Sequence, residues 1–239
     1  MKLLTMSNIR LLLIFLAIIF LYVFAIQKNT NRNLLKTDVV FVGENTQFLQ
    51  QETVNNLLIE NKNDLKTTKK LKLNLDNLET TVNKHPMIEK SEVYVTIDGV
   101  LKARVTQKTP VARVFENEDS YYIDKNGTKM PLSKLYSARV PIISGGITKN
   151  RKEIIEILDI IQKDDFLKKN IIGVTIEPNQ SLTMRNRNFD YEIDFGKPIY
   201  IERKFKNYKA FFQKAIEDSS LYNYKKINLK YTQQVVCSK

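Results

Sequence analysis

The stretch "KHPMIEKSEVYVTIDGVLKARVTQKTPVARV", from Lys84 to Val114, decides the fold. A residue that precedes proline is pushed out of the helical region, so a helix that reaches His85-Pro86 should end at about Lys84 or His85. Residues 93–97 alternate apolar and polar side chains with the period of two that is typical of a half-buried strand. Asp98-Gly99 favours a hairpin turn, and residues 100–105 return as the partner strand. The side chains predicted to be buried on the first of these strands are Val93, Val95 and Ile97.

His85 is the only histidine in the chain and therefore the only candidate for an imidazole base. A hydrolase triad needs a nucleophile, a base and an acid, but Ser91 lies too close in sequence and no G-x-S-x-G motif occurs. We interpret His85 instead as a helix-terminal residue whose cation lies near the last carbonyls of the helix. One histidine and one distant cysteine, Cys237, do not supply the usual zinc ligands. We therefore expect no catalytic residue, no metal and no cofactor.

The segments before this stretch predict one strand and two helices. The run "DVVFVGEN" is a short β-branched and aromatic strand that stops at Gly43. A helix follows, with its apolar stripe in residues 54–58. A second helix is capped by Asn74 and carries its apolar residues at the right spacing in residues 75–82. The resulting order of strand, helix, helix, strand and strand predicts an α+β module with its helices on one face of a sheet.

The chain from Pro110 onward predicts a second, mostly antiparallel sheet with covering helices. Two strands flank the turn Asp124–Gly127, and "RVPIISGG" is a buried strand with a glycine stop. Residues 151–169 predict one helix, and residues 171–198 predict three strands. The turns between these strands should fall at residues 177–180 and 185–188. The apolar side of a final helix is formed by Ile201, Phe205, Tyr208, Phe212, Ala215 and Ile216. The last residues, "INLKYTQQVVCSK", contain two short strand-like runs.

The chain is strongly basic, with 38 Lys and Arg, 26 Asp and Glu and a net charge of +12. Such a surface attracts nucleic acid, acidic lipid headgroups or acidic protein segments. The basic residues that crowd the final helix are Arg203, Lys204, Lys206 and Lys209. Because the aromatic residues of this helix fall on its apolar stripe, we expect no binding of nucleic acid. We also expect no small-molecule substrate. An exposed strand face explains the alternating carboxylates Asp190, Glu192 and Asp194.

Residues 11–26 read "LLLIFLAIIFLYVFAI", sixteen unbroken apolar residues between Arg10 and Lys28. The run is close to the minimum length that crosses a hydrocarbon core of about 30 Å. One interpretation is a cleaved signal peptide, since Val23-Phe24-Ala25 is similar to a cleavage site. The other is a permanent anchor, which the length of the run favours. Positive charges lie on both sides of the run, so they do not set its orientation.

The whole arrangement resembles the bacterial cell division protein family FtsQ, also called DivIB. The segments that carry the resemblance are "VVFVGEN", "LETTVNKHPMIEKSEVYVTIDGVLKARVTQKTPVARV", "YYIDKNGTKMPLS" and "INLKYTQQVVCSK". The resemblance covers residues 1–239 and implies an α+β fold: a single N-terminal transmembrane helix, a POTRA-like β-α-α-β-β module and a mostly antiparallel β domain with covering helices. It also implies a cytoplasmic N-terminus, an anchor in the inner membrane and a periplasmic body.

The domains expected on this basis are a cytoplasmic tail at 1–10, a transmembrane helix at 11–27, a tether at 28–37, a POTRA-like domain at 38–108 and a β domain at 109–239. The resemblance implies a non-enzymatic scaffold of the divisome that binds FtsB and FtsL, and other divisome membrane proteins, and is linked to septal peptidoglycan synthesis. In the family, the last strand of the β domain receives a strand from FtsB. The corresponding residues here are Tyr231, Gln234, Val235, Val236, Cys237, Ser238 and Lys239, with support from Arg203. Basic residues near this strand, which should attract an acidic partner segment, are Lys225, Lys226, Lys230 and Lys239.

Two other classes of function compete with the scaffold. A POTRA-type periplasmic chaperone or another envelope assembly factor would share the first module. A chaperone of outer-membrane assembly should continue into amphipathic barrel strands of about ten residues, and the sequence predicts none. A membrane-anchored enzyme of the cell wall should show a nucleophile or a metal-binding set, and the sequence indicates neither.

Overall fold

The computed structural model describes residues 6–30, 33–43, 48–59, 73–116, 119–146 and 151–239. It divides into two compact units, Met1–Gln107 and Lys108–Lys239. The sequence prediction of an α+β chain with an N-terminal apolar helix, a β-α-α-β-β module and a second β-rich domain is confirmed.

The N-terminal helix α1 comprises Met6–Thr30 and is 25 residues long. At about 1.5 Å per residue it is longer than the hydrocarbon core of a bilayer, which is about 30 Å thick. Its segment Ile9–Lys28 has a mean hydropathy of 2.9, and its large apolar side chains are exposed. Within the described parts of the chain, this is the one helix long and apolar enough to cross a membrane.

The described part of the first unit after α1 has three strands and two helices. Their bounds are β1 Lys36–Val42, α2 Gln51–Ile59, α3 Leu75–Asn83, β2 Ile88–Val95 and β3 Val100–Gln107. The strand order is β1-β3-β2, in which β1 runs parallel to β3 and β2 runs antiparallel to it. Val54, Leu58, Leu78 and Val82 are the buried side chains of the two helices. The predicted order of strand, helix, helix, strand and strand is therefore present.

Both predicted ends of α3 are confirmed. The Asn74 side chain accepts a hydrogen bond from the Asn77 N–H at 3.0 Å, which satisfies one of the free donors at the start of the helix. The helix ends at Asn83, with Lys84 as its C-cap directly before His85-Pro86, in agreement with the restriction on the residue before proline.

The predicted position of the first hairpin strand needs one correction. Strand β2 begins at Ile88 and ends at Val95, and Ile97 is 76% exposed. The connection closes through hydrogen bonds from the Gly99 N–H to Thr96 O and from the Thr96 N–H to Val100 O. Gly99 has a φ of +87°, which glycine adopts without strain. Ile97 therefore lies at the tip of the turn, where the alternation of the strand no longer applies.

In the residues that the structure describes, the second unit has nine strands, three α-helices and one short 3-10 helix at Ser220–Asn223. The strands are β4 Pro110–Glu116, β5 Asp119–Asp124, β6 Lys129–Met130, β7 Ile142–Ser144, β8 Ile171–Ile176, β9 Leu182–Asn186, β10 Glu192–Gly196, β11 Lys226–Asn228 and β12 Val236–Ser238. The helices are α4 Arg151–Lys163, α5 Asp165–Asn170 and α6 Ile201–Glu217. The strands form one sheet in the order β12-β11-β10-β9-β8-β7-β4-β5-β6. Of its eight pairs, three are parallel: β4 with β7, β7 with β8 and β10 with β11.

The helices and the sheet of this unit share one hydrophobic core. The apolar face predicted for residues 151–169 is buried at Ile154, Ile157, Leu158 and Ile161. Helix α6 buries Ile201, Phe205, Tyr208, Phe212 and Ala215. The prediction for Ile216 is wrong, because this side chain is exposed at the last turn of the helix.

Two boundaries in this unit differ from the predictions. The single helix expected at residues 151–169 is two helices, because Asp164 is extended (φ −102°, ψ 115°) and caps α5. Its side chain accepts a hydrogen bond from the Leu167 N–H at 3.0 Å and pairs with the ammonium group of Lys209. The turn expected at residues 185–188 lies later, because β9 continues to Asn186.

Candidate partner-binding edge

Strand β12, the last strand of the chain, lies at one end of the nine-stranded sheet. It pairs antiparallel with β11 through Val236 opposite Asn228, Cys237 opposite Ile227 and Ser238 opposite Lys226. Among the strands that the structure describes, none pairs with the other side of β12. The main-chain groups on that side are therefore available to another strand.

The register of the β11–β12 pair determines which groups face outward. Ser238 O accepts a hydrogen bond from the Lys225 N–H at 2.9 Å, so the main-chain groups of Ser238 point toward β11. Main-chain groups of successive strand residues point to opposite sides. The N–H and C=O of Cys237 therefore point to the open edge, in the middle of the strand.

The side chains of the last residues alternate between core and solvent. Val235 and Cys237 are half-buried and pack against the hydrophobic core of the second unit. Val236 is 42% exposed, and Gln234, Ser238 and Lys239 are also exposed. Burial raises the pKa of the Cys237 thiol, so this side chain acts as a small neutral group. A partner strand would find the half-buried Val235 and Cys237 on one face, and the exposed Val236 between the polar Gln234 and Ser238 on the other.

A buried hydrogen-bonded cluster stabilises the core of this unit. The hydroxyl groups of Tyr191 and Tyr208 are 2.8 Å apart, and the Asn186 side-chain amide donates to both at 3.0 Å. Burial raises the pKa of both tyrosines, so they stay neutral. The cluster joins the end of β9, the start of β10 and helix α6, and satisfies polar groups that would be costly to bury alone.

Asp194 on β10 does not lie on an exposed strand face, which corrects the interpretation of the alternating carboxylates. It is buried, and its Oδ2 lies 2.7 Å from Lys230 Nζ and 3.2 Å from Lys226 Nζ. Burial opposes ionisation of Asp194, but its bonds to Lys230 and Lys226 outweigh burial and lower its pKa. Two of the four lysines expected to attract an acidic partner therefore share one carboxylate.

Arg203 and Lys204 have different environments although they are neighbours on α6. Arg203 is exposed and lines an open cleft of about 450 Å³ together with Glu153, Glu156 and residues 198–202. Lys204 is only 2% exposed and donates to Phe195 O and Lys197 O, each at 2.8 Å. Burial lowers the pKa of Lys204 to about 8. The predicted crowding of basic residues on the surface of α6 is therefore wrong for Lys204.

Most of the predicted site residues lie in one stretch of the sequence, residues 231–239. Tyr231 is 55% exposed on the connection between β11 and β12, directly before the run from Gln234 to Lys239. Arg203 lines its cleft without any of residues 231–239. It lies four residues before Asn207, whose side chain contacts the connection at Thr232 O. Asn207 and Asp194 were not predicted as site residues, and Lys230 was predicted only as a charge that attracts an acidic partner, because nothing in their local sequence marks contacts between distant elements.

His85 is half-buried at the end of α3, and its protonation state differs from the prediction. Its Nδ1 accepts a hydrogen bond from the Met87 N–H at 3.3 Å, which requires an unprotonated nitrogen. Burial also lowers the pKa of His85. The imidazole is therefore neutral at neutral pH, and the expected cation beside the helix carbonyls is wrong. In the described ranges, no three His, Cys, Asp or Glu side chains are close enough to hold a metal ion.

These features define a class of protein: a chain with one apolar N-terminal helix, a POTRA-like module and a second β-rich unit with an open edge strand. The sequence model of the POTRA-like domain family matches residues 39–106 of this chain. The model described as FtsQ/DivIB, C-terminal related, matches residues 109–238, more than half of the chain. No curated protein matches the chain significantly. The chain belongs to the FtsQ/DivIB family, a non-enzymatic family of cell division proteins, and the resemblance predicted from the sequence is confirmed.

Proposed function

We propose that this chain is a bitopic scaffold of the divisome that binds the FtsB/FtsL complex through the open edge of β12. In this role it links that complex to septal peptidoglycan synthesis. Membership of the FtsQ/DivIB family supports a scaffold role in cell division. The main observation in support of the proposed binding mode is the position of β12 at the end of the second sheet.

Strand addition fits the chemistry of this edge. A partner strand gains affinity from main-chain hydrogen bonds and selectivity from contacts with alternate side chains. Cys237 offers its N–H and C=O at the centre of β12. Val235 and Val236, which point to opposite faces, give the partner apolar contacts on both sides. A partner segment with alternating apolar residues would therefore match this edge.

Charge near the edge supports an acidic partner. Lys225 and Lys239 are exposed, and Lys226 and Lys230 outnumber the single carboxylate that they share, Asp194. A net positive surface attracts an acidic segment over a distance and speeds association, and salt weakens this effect. We expect Arg203, exposed on α6, to contribute to the same attraction.

The proposed topology places the N-terminus in the cytoplasm and the body in the periplasm, with α1 anchored in the inner membrane. The proposed domains are the tail at 1–10, the transmembrane helix at 11–27, the tether at 28–37, the POTRA-like domain at 38–108 and the β domain at 109–239. A single apolar helix followed by two folded units is compatible with this single-pass arrangement.

The test substitutes the central residue of the open edge in the full-length protein. Cys237→Pro removes the outward N–H, whereas Cys237→Ala keeps it as a matched control. Proline is tolerated on an edge strand whose N–H faces solvent, so the pairing with β11 should survive. We expect Cys237→Pro, and deletion of Val235–Lys239, to abolish co-purification with FtsB and FtsL while Cys237→Ala retains it.

Circular dichroism of each variant checks that the fold is intact. Undiminished co-purification by the protein lacking Val235–Lys239 would show that β12 is not the binding site. Equal loss in Cys237→Ala and Cys237→Pro would assign the effect to the side chain instead of the main-chain edge.

A further inference from the structure

The connection between β11 and β12, residues 229–235, is attached to the rest of the second unit by side chains from two other elements. It carries the exposed Tyr231 and leads directly into the open strand. A connection of this length and exposure has many accessible conformations, and ordering its backbone costs about 1–2 kcal/mol per residue. The contacts that hold it therefore affect how well β12 is ordered before any partner arrives.

The first attachment comes from helix α6. The Asn207 side-chain amide donates a hydrogen bond to Thr232 O at 3.0 Å, across 25 positions of sequence. Asn207 is half-buried on a helix whose neighbouring residue, Tyr208, belongs to the buried hydroxyl cluster. The donor is therefore fixed to the rigid core, and it holds the middle of the connection by its main chain.

The second attachment comes from β10. Asp194 Oδ2 lies 2.7 Å from Lys230 Nζ, and the Lys230 N–H donates to Asn228 Oδ1 at 2.9 Å. The aliphatic part of Lys230 lies over Gly196, where an added Cβ would come within 2.6 Å of Lys230 Cγ. Lys230 is thus fixed at its backbone, its stem and its charged end. The start of the connection is therefore attached as well as its middle.

We infer that Asn207 and the Asp194–Lys230 pair are positioning residues for strand addition at β12, an inference that rests on the proposed function. They hold the two sides of Tyr231 without covering it, and its ring stays 55% exposed. None of the three lies on β12, so they act through the connection. The free protein therefore presents the edge and Tyr231 already ordered, which reduces the entropy lost on binding.

The test uses two full-length variants and a charge-matched control. Asn207→Asp is nearly isosteric but replaces the amide donor by an acceptor, which breaks the bond to Thr232 O. Gln213→Glu makes the same change of charge on an exposed position of the same helix, and serves as the control. Lys230→Met keeps the aliphatic stem over Gly196 and removes the ammonium from Asp194.

Two measurements are compared. Amide hydrogen exchange of the free protein should become several-fold faster in residues 231–237 of Asn207→Asp and Lys230→Met, with unchanged exchange in β8 and β9. Affinity for the periplasmic segment of FtsB should fall about fivefold in Asn207→Asp, the loss expected for one hydrogen bond. Gln213→Glu should match the wild type in both.

The outcomes separate this inference from the proposed function. If the wild type binds the segment and Asn207→Asp binds equally well, the positioning role is overturned and the proposed function stands. If the wild type does not bind, the proposed function fails, and the exchange of residues 231–237 decides whether the attachments order the edge. Unchanged exchange in both variants overturns the inference with or without a partner.

Discussion

At the scale of single residues, the contacts of His85 indicate a role in stability and not in catalysis. Its Nδ1 accepts the Met87 N–H, and burial lowers its pKa from the usual 6.5. The neutral imidazole therefore belongs to the folded structure, where it secures the corner between α3 and β2. Protonation must compete with this contact, so the side chain connects the stability of the first unit to pH.

We predict that the free energy of unfolding falls as the pH drops below about 6.5. The protonation of His85 contributes to this fall, so the fall should be smaller in His85→Gln. The folded chain has the lower pKa for His85, so between the two pKa values the unfolded chain binds more protons. The contribution is fully present above 6.5 and is lost as the pH falls through the folded pKa. Urea unfolding of both proteins between pH 7.5 and 5 measures the difference.

His85 is the only histidine, so no other side chain with an ordinary pKa in this window obscures the comparison. Glutamine keeps a polar side chain and has no charge at any of these pH values. Parallel curves for the two proteins between pH 6.5 and 5 would contradict the assignment of a lowered pKa to His85.

At the scale of elements, the break between α4 and α5 shows how one capping residue redirects a helix. Asp164 adopts an extended conformation, accepts the Leu167 N–H and pairs with Lys209 on α6. Burial opposes its ionisation, but the bonds from Lys209 and Leu167 lower its pKa below the usual value. The carboxylate thus starts α5 and connects it to α6.

We predict that Asp164→Ala destabilises the protein by about 0.5–2 kcal/mol, the usual cost of losing an N-terminal cap. Asp165→Ala is the matched control, because Asp165 is exposed and is the next residue along the chain. Chemical denaturation at pH 7 gives both values. Below the ordinary carboxyl pKa of 3.8 the difference should shrink as Asp164 itself becomes protonated. Equal destabilisation by the two substitutions would contradict the role of Asp164 as a cap.

The elements that sequence reasoning predicted well are those with a local signal. The cap at Asn74, the stop before Pro86 and the turn at Gly127 each depend on neighbouring residues, and all three are present. The break at Asp164 was missed because the apolar spacing of residues 154–161 predicts a helix, and Lys168-Lys169 is typical of a last helical turn, so the whole segment was interpreted as one helix. An aspartate inside such a pattern is also compatible with an exposed helix position, and its contact with Lys209 is 45 positions away.

The candidate site shows the same difference between residues with a local signal in the sequence and residues that meet only in the fold. The run from Gln234 to Lys239 was identified through the family resemblance, and in the structure its residues Val236–Ser238 form an edge strand in which Cys237 is half-buried. Asp194 was interpreted as an exposed carboxylate, because alternation along β10 does not reveal that two lysines from β11 and its following connection converge on it. Contacts between distant elements carry no local signature, so only the folded structure identifies them.

At the scale of the whole molecule, the boundary between the units falls where no element is divided. Strand β3 ends at Gln107, whose Oε1 accepts the Phe48 and Leu49 N–H groups at 2.9 and 3.1 Å. On the other side, Lys108 Nζ lies 3.8 Å from Asp124 Oδ2 in the second unit. Each residue at the boundary is thus bonded within its own unit, and each unit has its own sheet.

We predict that a fragment of residues 108–239 folds alone, with a cooperative unfolding transition and the circular dichroism of a mixed sheet and helix protein. The strands and helices that the structure describes in it enclose one core, and the cut breaks no strand. A fragment of residues 119–239 is the control: it lacks β4, which lies between β7 and β5 inside the sheet, and should not fold. An unfolded 108–239 fragment would contradict the independence of the second unit. A folded 119–239 fragment would contradict the requirement for β4.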